Sequence, residues 1–194
     1  MKKDTLWHAL FSQSGSEIYE ISKQIGRFPD AIITNKPLEK LELINPKLLE
    51  EAFERFVFLP RIPTPLEYNT ALCSGALVTL HGYLRILPPE VCFRYNTYNG
   101  HPGLITKYPE LKGKDPQKKS WDNNTYLYHG HVIHKVISAV DEGQIESAAY
   151  FKCSNIKKEF IELENYIEQL HKVSINNWVA FMKKKIKIGT IYHG

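Results

Sequence analysis

The sequence predicts an α/β fold, a twisted and mainly parallel sheet with helices on both faces. Three observations carry that expectation. Over the first 82 residues short apolar runs alternate with stretches of helical period, the pattern of a parallel sheet built from strand–helix units. The run "ALVTLHG" (76–82) is apolar almost throughout, as a strand covered on both faces is. Polar residues gather at the ends of these runs, where open parallel sheets place their ligands.

The elements follow in order. Leu6 to Phe11 is a short apolar strand running into the polar loop "SQSGS". In "EIYEISKQIG", Ile18, Ile21 and Ile25 share one helix face and Gly26 stops it. "DAIITN" (30–35) is a second strand, and "PKLLEEAFERF" a helix starting at Pro46 with Asn45 as N-cap. "FVFLP" supplies a third strand, "PLEYNTALCSG" a helix ending at Gly75, and 76–82 the fourth strand. A fifth strand ends at Asn99 and His101, and a long polar loop then reaches Tyr126. "VIHKVI" (132–137) and "ESAAYF" (146–151) are strands around the turn "DEG", and a charged helix closes the chain. In that helix Phe160, Leu163, Ile167, Leu170 and Trp178 form the expected buried stripe, and "KKKIK" is a solvated end matched to the negative pole.

Composition narrows the function classes. A chain of 194 residues, 43% hydrophobic and 24% charged, suits one full-sized folded domain, so 1–194 is expected to be a single unit. The net charge of +4 is mild and not gathered into a stripe, which argues against nucleic acid and fits an anionic small molecule. Cys73, Cys92 and Cys153 are scattered and odd in number, as expected of reduced thiols in the cytoplasm. The opening "MKKDTLWHALF" has two lysines but only a short apolar stretch broken by His8, and no run approaches the ~18 apolar residues of a membrane span. A soluble, intracellular protein is the expectation.

Candidate site residues cluster at strand ends: Ser12 to Ser16, Asn35 with Lys36, Gly82 to Leu87, and Asn99 with His101. His129, His131 and His134 with Asp141 invite a metal reading, but on a strand His129 and His131 face one way and His134 the other. Satisfied core histidines are the simpler account, and no metal is expected. Asp141 sits in an acidic turn, ordinarily a solvated one, and matters only if the turn folds back over Asn99 and His101.

Three blocks, "GYLRILPPEV", "NGHPGLITKYP" and "YHGHVIHKVISAVDEGQI", together resemble the folate-dependent formyltransferases. The order agrees: a Gly-aromatic-x-Arg-Ile-Leu turn, Asn-x-His-Pro, then His-Gly-x-x-x-His with an Asp seven residues on. "FSQSGSEI" and "ITNK" resemble the family's first phosphate-side loop and second strand end, so the likeness spans about residues 6–180. It is similar above all to the single-domain glycinamide ribonucleotide branch. The resemblance implies a formyltransferase-type, Rossmann-like, doubly wound fold and transfer of a formyl group from 10-formyltetrahydrofolate to a primary amine.

By matching position it implies Asn99, His101 and Asp141 as the catalytic trio. Asn99 and a protonated His101 would hold the formyl oxygen as it gains charge, while Asp141 raises the proton affinity of His101 and relays the amine's proton. His134 would be a structural partner. Arg85, Ile86 and Leu87, with Val140, Asp141, Glu142 and Gly143, would line the pterin slot. Ser14, Gly15, Ser16, Glu17 and Lys107 would face the amine substrate. The pattern departs at Glu17, where the branch carries a phosphate-contacting Asn, because a carboxylate there repels phosphate. An amino-sugar nucleotide or modified nucleotide is therefore a second class of acceptor. The same residues are compatible with a 10-formyltetrahydrofolate hydrolase, with a non-catalytic folate binder, and with a metal hydrolase built on His101, His129 or His131, and Asp141.

Overall fold

In a computed structural model residues 5–123 and 125–186 are described. Lys2 and Lys3 of the opening segment and Lys187 of the basic tail lie outside them. The strands are β1 (Trp7–Phe11), β2 (Ala31–Thr34), β3 (Phe56–Phe58), β4 (Leu77–Leu80), β5 (Asn96–His101), β6 (Tyr128–Lys135) and β7 (Ile145–Lys152). The helices are α1 (Ser16–Ile25), α2 (Pro46–Ala52), α3 (Pro65–Ala71), α4 (Pro89–Arg94), α5 (Pro116–Asp122), α6 (Ile156–Phe160) and α7 (Leu163–Lys185). Together they give a Rossmann-like, seven-stranded sheet in the order β3-β2-β1-β4-β5-β6-β7. Two compact units result, residues up to Thr97 with those from Val179 on, and Tyr98–Trp178.

In the first unit all strand pairs are parallel, with β1 between β2 and β4 and β3 beyond β2. Every residue of β1 and β4 is buried, which is why their sequences carry no alternation. Trp7, Leu10, Ile32, Ile33 and Val78 are sealed from solvent. The Asn45 side chain accepts the N–H groups of Lys47 and Leu48 at the head of α2, and Thr64 with Glu67 forms a reciprocal cap on α3.

Helix α3 stops at Ala71 and not at Gly75, because Leu72 turns extended and buries its side chain. Gly75, at φ 80°, instead serves the turn closed by the Ala76 N–H on the Cys73 carbonyl.

The second unit is antiparallel, β5 with β6 and β6 with β7. The β6 strand runs from Tyr128 to Lys135, earlier than 132–137, because a bulge near Ile133 and His134 ends its regular pairing. The closing helix is interrupted: Ile161 takes φ 64° and ψ −51°, and the Glu162 N–H reaches back to the Phe160 carbonyl at 2.6 Å. That is a γ-turn, which separates α6 from α7. Of the expected stripe, Leu170 and Trp178 are buried, joined by Tyr166, Ile175 and Phe181. No helix among the described residues is long and apolar enough to cross a membrane.

Candidate active site

Register builds the site in the second unit. In the β5–β6 ladder Asn99 lies opposite His134 and His101 opposite Val132. Directly opposed residues share a sheet face, as do residues two apart on a strand, so Asn99, His101 and His134 project together. The Asn99 amide nitrogen reaches His134 Nε2 at 3.3 Å.

The turn after β6 then brings Asp141 between the two rings, with Oδ2 3.4 Å from His101 Nδ1 and Oδ1 3.3 Å from His134 Nε2. Its backbone is left-handed, φ 55°, a conformation that Asp tolerates better than most residues. Oδ2 also accepts the Gly113 N–H at 2.9 Å. His101, His134 and Asp141 are all buried.

Backbone carbonyls set both imidazole tautomers. His101 donates Nε2–H to the Leu111 carbonyl at 2.8 Å, and His134 donates Nδ1–H to the Lys135 carbonyl at 3.0 Å. Each neutral ring therefore turns its basic nitrogen toward Asp141. A proton gained by either ring lands between that ring and the carboxylate.

Burial pulls the His101 proton affinity below the ordinary histidine value, and the negative charge of Asp141 offsets only part of this. Burial pushes Asp141 upward, but its contacts with His134, the Gly113 N–H and His101 together hold it below the usual carboxylate range. The cluster thus places the carboxylate between a ring nitrogen of His101 and one of His134. His101 has no ring nitrogen pointing into open space: Nε2 faces the Leu111 carbonyl and Nδ1 faces Asp141.

The remaining candidates lie as follows. Ser14, Gly15 and Ser16 form the loop leading into α1, with Gly15 at φ 74° and the Ser14 hydroxyl 3.0 Å from that of Ser16. A Cβ on Gly15 would press into Leu48 and Phe11. Glu17 does not stand free at this loop: its Oε2 is 2.7 Å from His81 Nδ1, and His81 Nε2 is 2.8 Å from the Thr79 hydroxyl. Arg85 is tied through Nε to the Arg61 carbonyl at 2.9 Å. Ile86 is 75% exposed and Leu87 buried.

In the second unit Val140 is exposed, and Glu142 pairs with Lys112 at 2.7 Å. Gly143 packs so tightly that a Cβ would collide with the Lys135 carbonyl. Lys107 holds its ammonium 3.7 Å from the centre of the Tyr128 ring.

The three histidines of the metal reading part company. His129 contacts the Tyr166 hydroxyl and the Tyr126 carbonyl, His131 contacts Asn177, and His134 contacts Asp141. Among the described residues no group of three His, Cys, Asp or Glu is placed to hold a metal ion.

The formyl transferase family profile matches residues 63–176, more than half of the chain and all of the Asn99–Asp141 segment. The chain belongs to the formyl transferase family. It is a folate-dependent formyltransferase, and its family membership implies a folate-derived formyl donor.

Solved structures of similar fold include phosphoribosylglycinamide formyltransferase from Anaplasma phagocytophilum, at TM-score 0.75 and 19% identity, covering 93% of this chain and 86% of that one. Glycinamide ribonucleotide transformylase 1 from Symbiobacterium toebii gives 0.73 and 18%, covering 91% and 84%. A formyltetrahydrofolate deformylase from Pseudomonas syringae pv. tomato gives 0.66 and 16%, covering 92% of this chain and 60% of that one. No curated protein matches the sequence.

For this formyltransferase, sequence reasoning missed the groups that orient the cluster: the Leu111 carbonyl, the Gly113 N–H, and His81 against Glu17. The first two are backbone atoms and leave no mark in residue type. His81 was legible only as a polar residue at the end of an apolar run.

The buried histidines also set an acid limit on the fold. Burial, ahead of Asp30 for His8, of Asp141 for His101 and of backbone carbonyls for His129, lowers all three. Once pH falls below about 6.5 the unfolded chain binds protons that the folded one refuses. Stability present above that pH is therefore lost as pH falls, by at most about 1.4 kcal/mol per pH unit for each histidine. Urea midpoints measured from about pH 7.5 to 5.5 should decline. A flat or rising midpoint over that window would show that these rings are not held neutral.

Proposed function

We propose that this chain moves the formyl group of 10-formyltetrahydrofolate to a primary amine of a small, nucleotide-like substrate, with a phosphoribosylglycinamide-like acceptor first among the candidates. The whole chain would work as one catalytic domain, in the cytoplasm, within purine biosynthesis. The observation that carries the reading is the cluster of half-buried Asn99 with buried His134, Asp141 and His101, every neighbouring pair within 3.4 Å.

The bound folate supplies an activated formyl carbon. Asn99 is the donor aimed at the formyl oxygen: one amide hydrogen is spent on His134, which fixes the side chain, and the other is left for the oxygen as charge builds on it. The attacking amine must shed a proton, and the Asp141–His101 pair receives it at the Nδ1 side. The proton is held there for return to the departing nitrogen. His101 in this scheme stabilises charge by taking that proton, while its Nε2–H stays on the Leu111 carbonyl and keeps the ring from turning.

Exposed Ile86 in the first unit and exposed Val140 in the second each offer apolar surface suited to a flat heteroaromatic ring. The adjoining backbone from Arg85 to Leu87 and from Val140 to Gly143 supplies donors and acceptors for the ring's edge. Residue type and exposure, taken in each unit by itself, are the support for the pterin contacts.

The test is a formyl-transfer assay with 10-formyltetrahydrofolate against glycinamide ribonucleotide, amino-sugar nucleotides and amino-nucleotides. One amine should be formylated in proportion to folate consumed. Formate released at the same rate with no amine present would replace transfer by hydrolysis. Activity abolished by a chelator and restored by zinc would replace both.

A further inference from the structure

A single tight helical turn, Pro109–Leu111, lies beside the His101 ring in the second unit. Its last residue, Leu111, is buried with Leu104, Ile105, Tyr126 and Val132, and its carbonyl takes the His101 Nε2–H at 2.8 Å. Lys119, on α5, reaches back to this turn. Its ammonium donates to the Glu110 carbonyl at 3.1 Å and to the Lys112 carbonyl at 2.9 Å, the two carbonyls on either side of Leu111. Among the described residues it has no carboxylate partner, whereas its neighbour Lys118 pairs with Asp122 at 3.0 Å.

The His101 ring runs against its simplest local preference. Asp141 Oδ2 stands 3.4 Å from His101 Nδ1, and a carboxylate is a better acceptor than a peptide carbonyl. A neutral ring free to choose would carry its proton on Nδ1 and give it to Asp141. The separation is instead longer than the ~2.7–2.9 Å of a charge-assisted hydrogen bond. The proton sits on Nε2, because the Leu111 carbonyl can only accept.

That outcome needs the Leu111 carbonyl to stay where it is. The buried side chain anchors the residue, but a carbonyl can still swing about the soft dihedrals on either side of its peptide plane. Lys119 grips both adjoining planes. The Lys112 carbonyl also shares its plane with the Gly113 N–H, which donates to Asp141 Oδ2 at 2.9 Å. One charged donor group therefore steadies the backbone that faces His101 and the backbone that faces Asp141, about twice as firmly as a neutral one would.

We infer that Lys119 is a positioning residue for His101: by fixing the peptide planes around Leu111 it keeps the ring proton on Nε2 and the Nδ1 lone pair toward Asp141. Its contribution to turnover rests on the formyl-transfer reading; the tautomer does not.

Nitrogen-15 NMR of histidine-labelled protein reads the tautomer without any catalysis, the His101 signal being assigned by its absence from His101→Gln. The unmodified chain should show the Nε2–H form. Lys119→Met keeps the length of the side chain and removes its donors, and should move most of the His101 population to the Nδ1–H form. Lys119→Arg, which keeps charge and donors, should restore Nε2–H, and Lys118→Met on the same helix should change nothing. In the formyl-transfer assay Lys119→Met should lower kcat by about tenfold with KM for folate within about twofold, and Lys119→Arg should recover most of the loss.

An unchanged Nε2–H signal in Lys119→Met overturns the inference, as does an equal shift in Lys118→Met. A shifted tautomer with full kcat removes the part played in turnover. If no amine is formylated by the unmodified protein but the tautomer shift persists, the positioning role stands and the formyl-transfer reading falls separately.

Discussion

Asp141→Asn is expected to lower turnover about a hundredfold or more, with folate binding retained. The substitution preserves shape, and an amide oxygen can still accept the Gly113 N–H that Asp141 Oδ2 now accepts at 2.9 Å. What it removes is the charge that makes the Nδ1 side of His101 a place to hold a proton. The loss should fall on kcat, because this charge matters most when the amine sheds its proton.

His101→Ala should cost at least as much activity, but it also strands the Leu111 carbonyl, an unsatisfied buried acceptor worth roughly 1–3 kcal/mol of stability. Its effect on rate must therefore be read beside a melting curve. Turnover in Asp141→Asn within a few-fold of the unmodified enzyme would remove Asp141 from the chemistry.

Gly143→Ala is the second large effect expected. The added methyl would meet the Lys135 carbonyl, and that carbonyl accepts His134 Nδ1–H. Overpacking against backbone costs about 1–3 kcal/mol. The relief available is to push the turn outward, which moves Asp141 from between its two rings. Activity should thus fall further than stability alone explains, by tenfold or more at temperatures where the variant is fully folded, since small displacements of catalytic groups cost about that much. A variant that melts lower but keeps full turnover would show that the turn's position is not critical.

The parts of the fold written in apolar period were legible. β1 and β4 are buried on both faces and read as apolar runs interrupted only by His8 and Thr79; the Asn45 cap is a residue-type signal in the right place. Helix α4 in "PPEVCFR" and helix α5 in the long loop were not foreseen, since each is under two turns and has no room to show a period. The break at Ile161 was hidden for the opposite reason. A β-branched residue at positive φ contradicts its own preference, so its residue type gives no sign of the turn.

At the site, the strand-end placement of Asn99 and His101 was readable from the sequence. The direction of each ring was not, because the Leu111 and Lys135 carbonyls that decide it are common to every residue type.

The β5–β6 ladder that places Asn99 opposite His134 joins strands separated by the whole stretch from Pro102 to Leu127. The β6–β7 pairing closes a far shorter gap. Loop closure must precede the contacts that reward it, so the distal pairing is the slower to nucleate. Refolding should therefore proceed in two visible stages, with the β6–β7 hairpin protecting its amides from exchange first. Enzymatic activity should return later, when β5 docks and the cluster is complete. Chains caught between these stages expose an unpaired β6 edge rich in Val132 and Ile133. Recovery of activity should accordingly decline as protein concentration in the refolding mixture is raised.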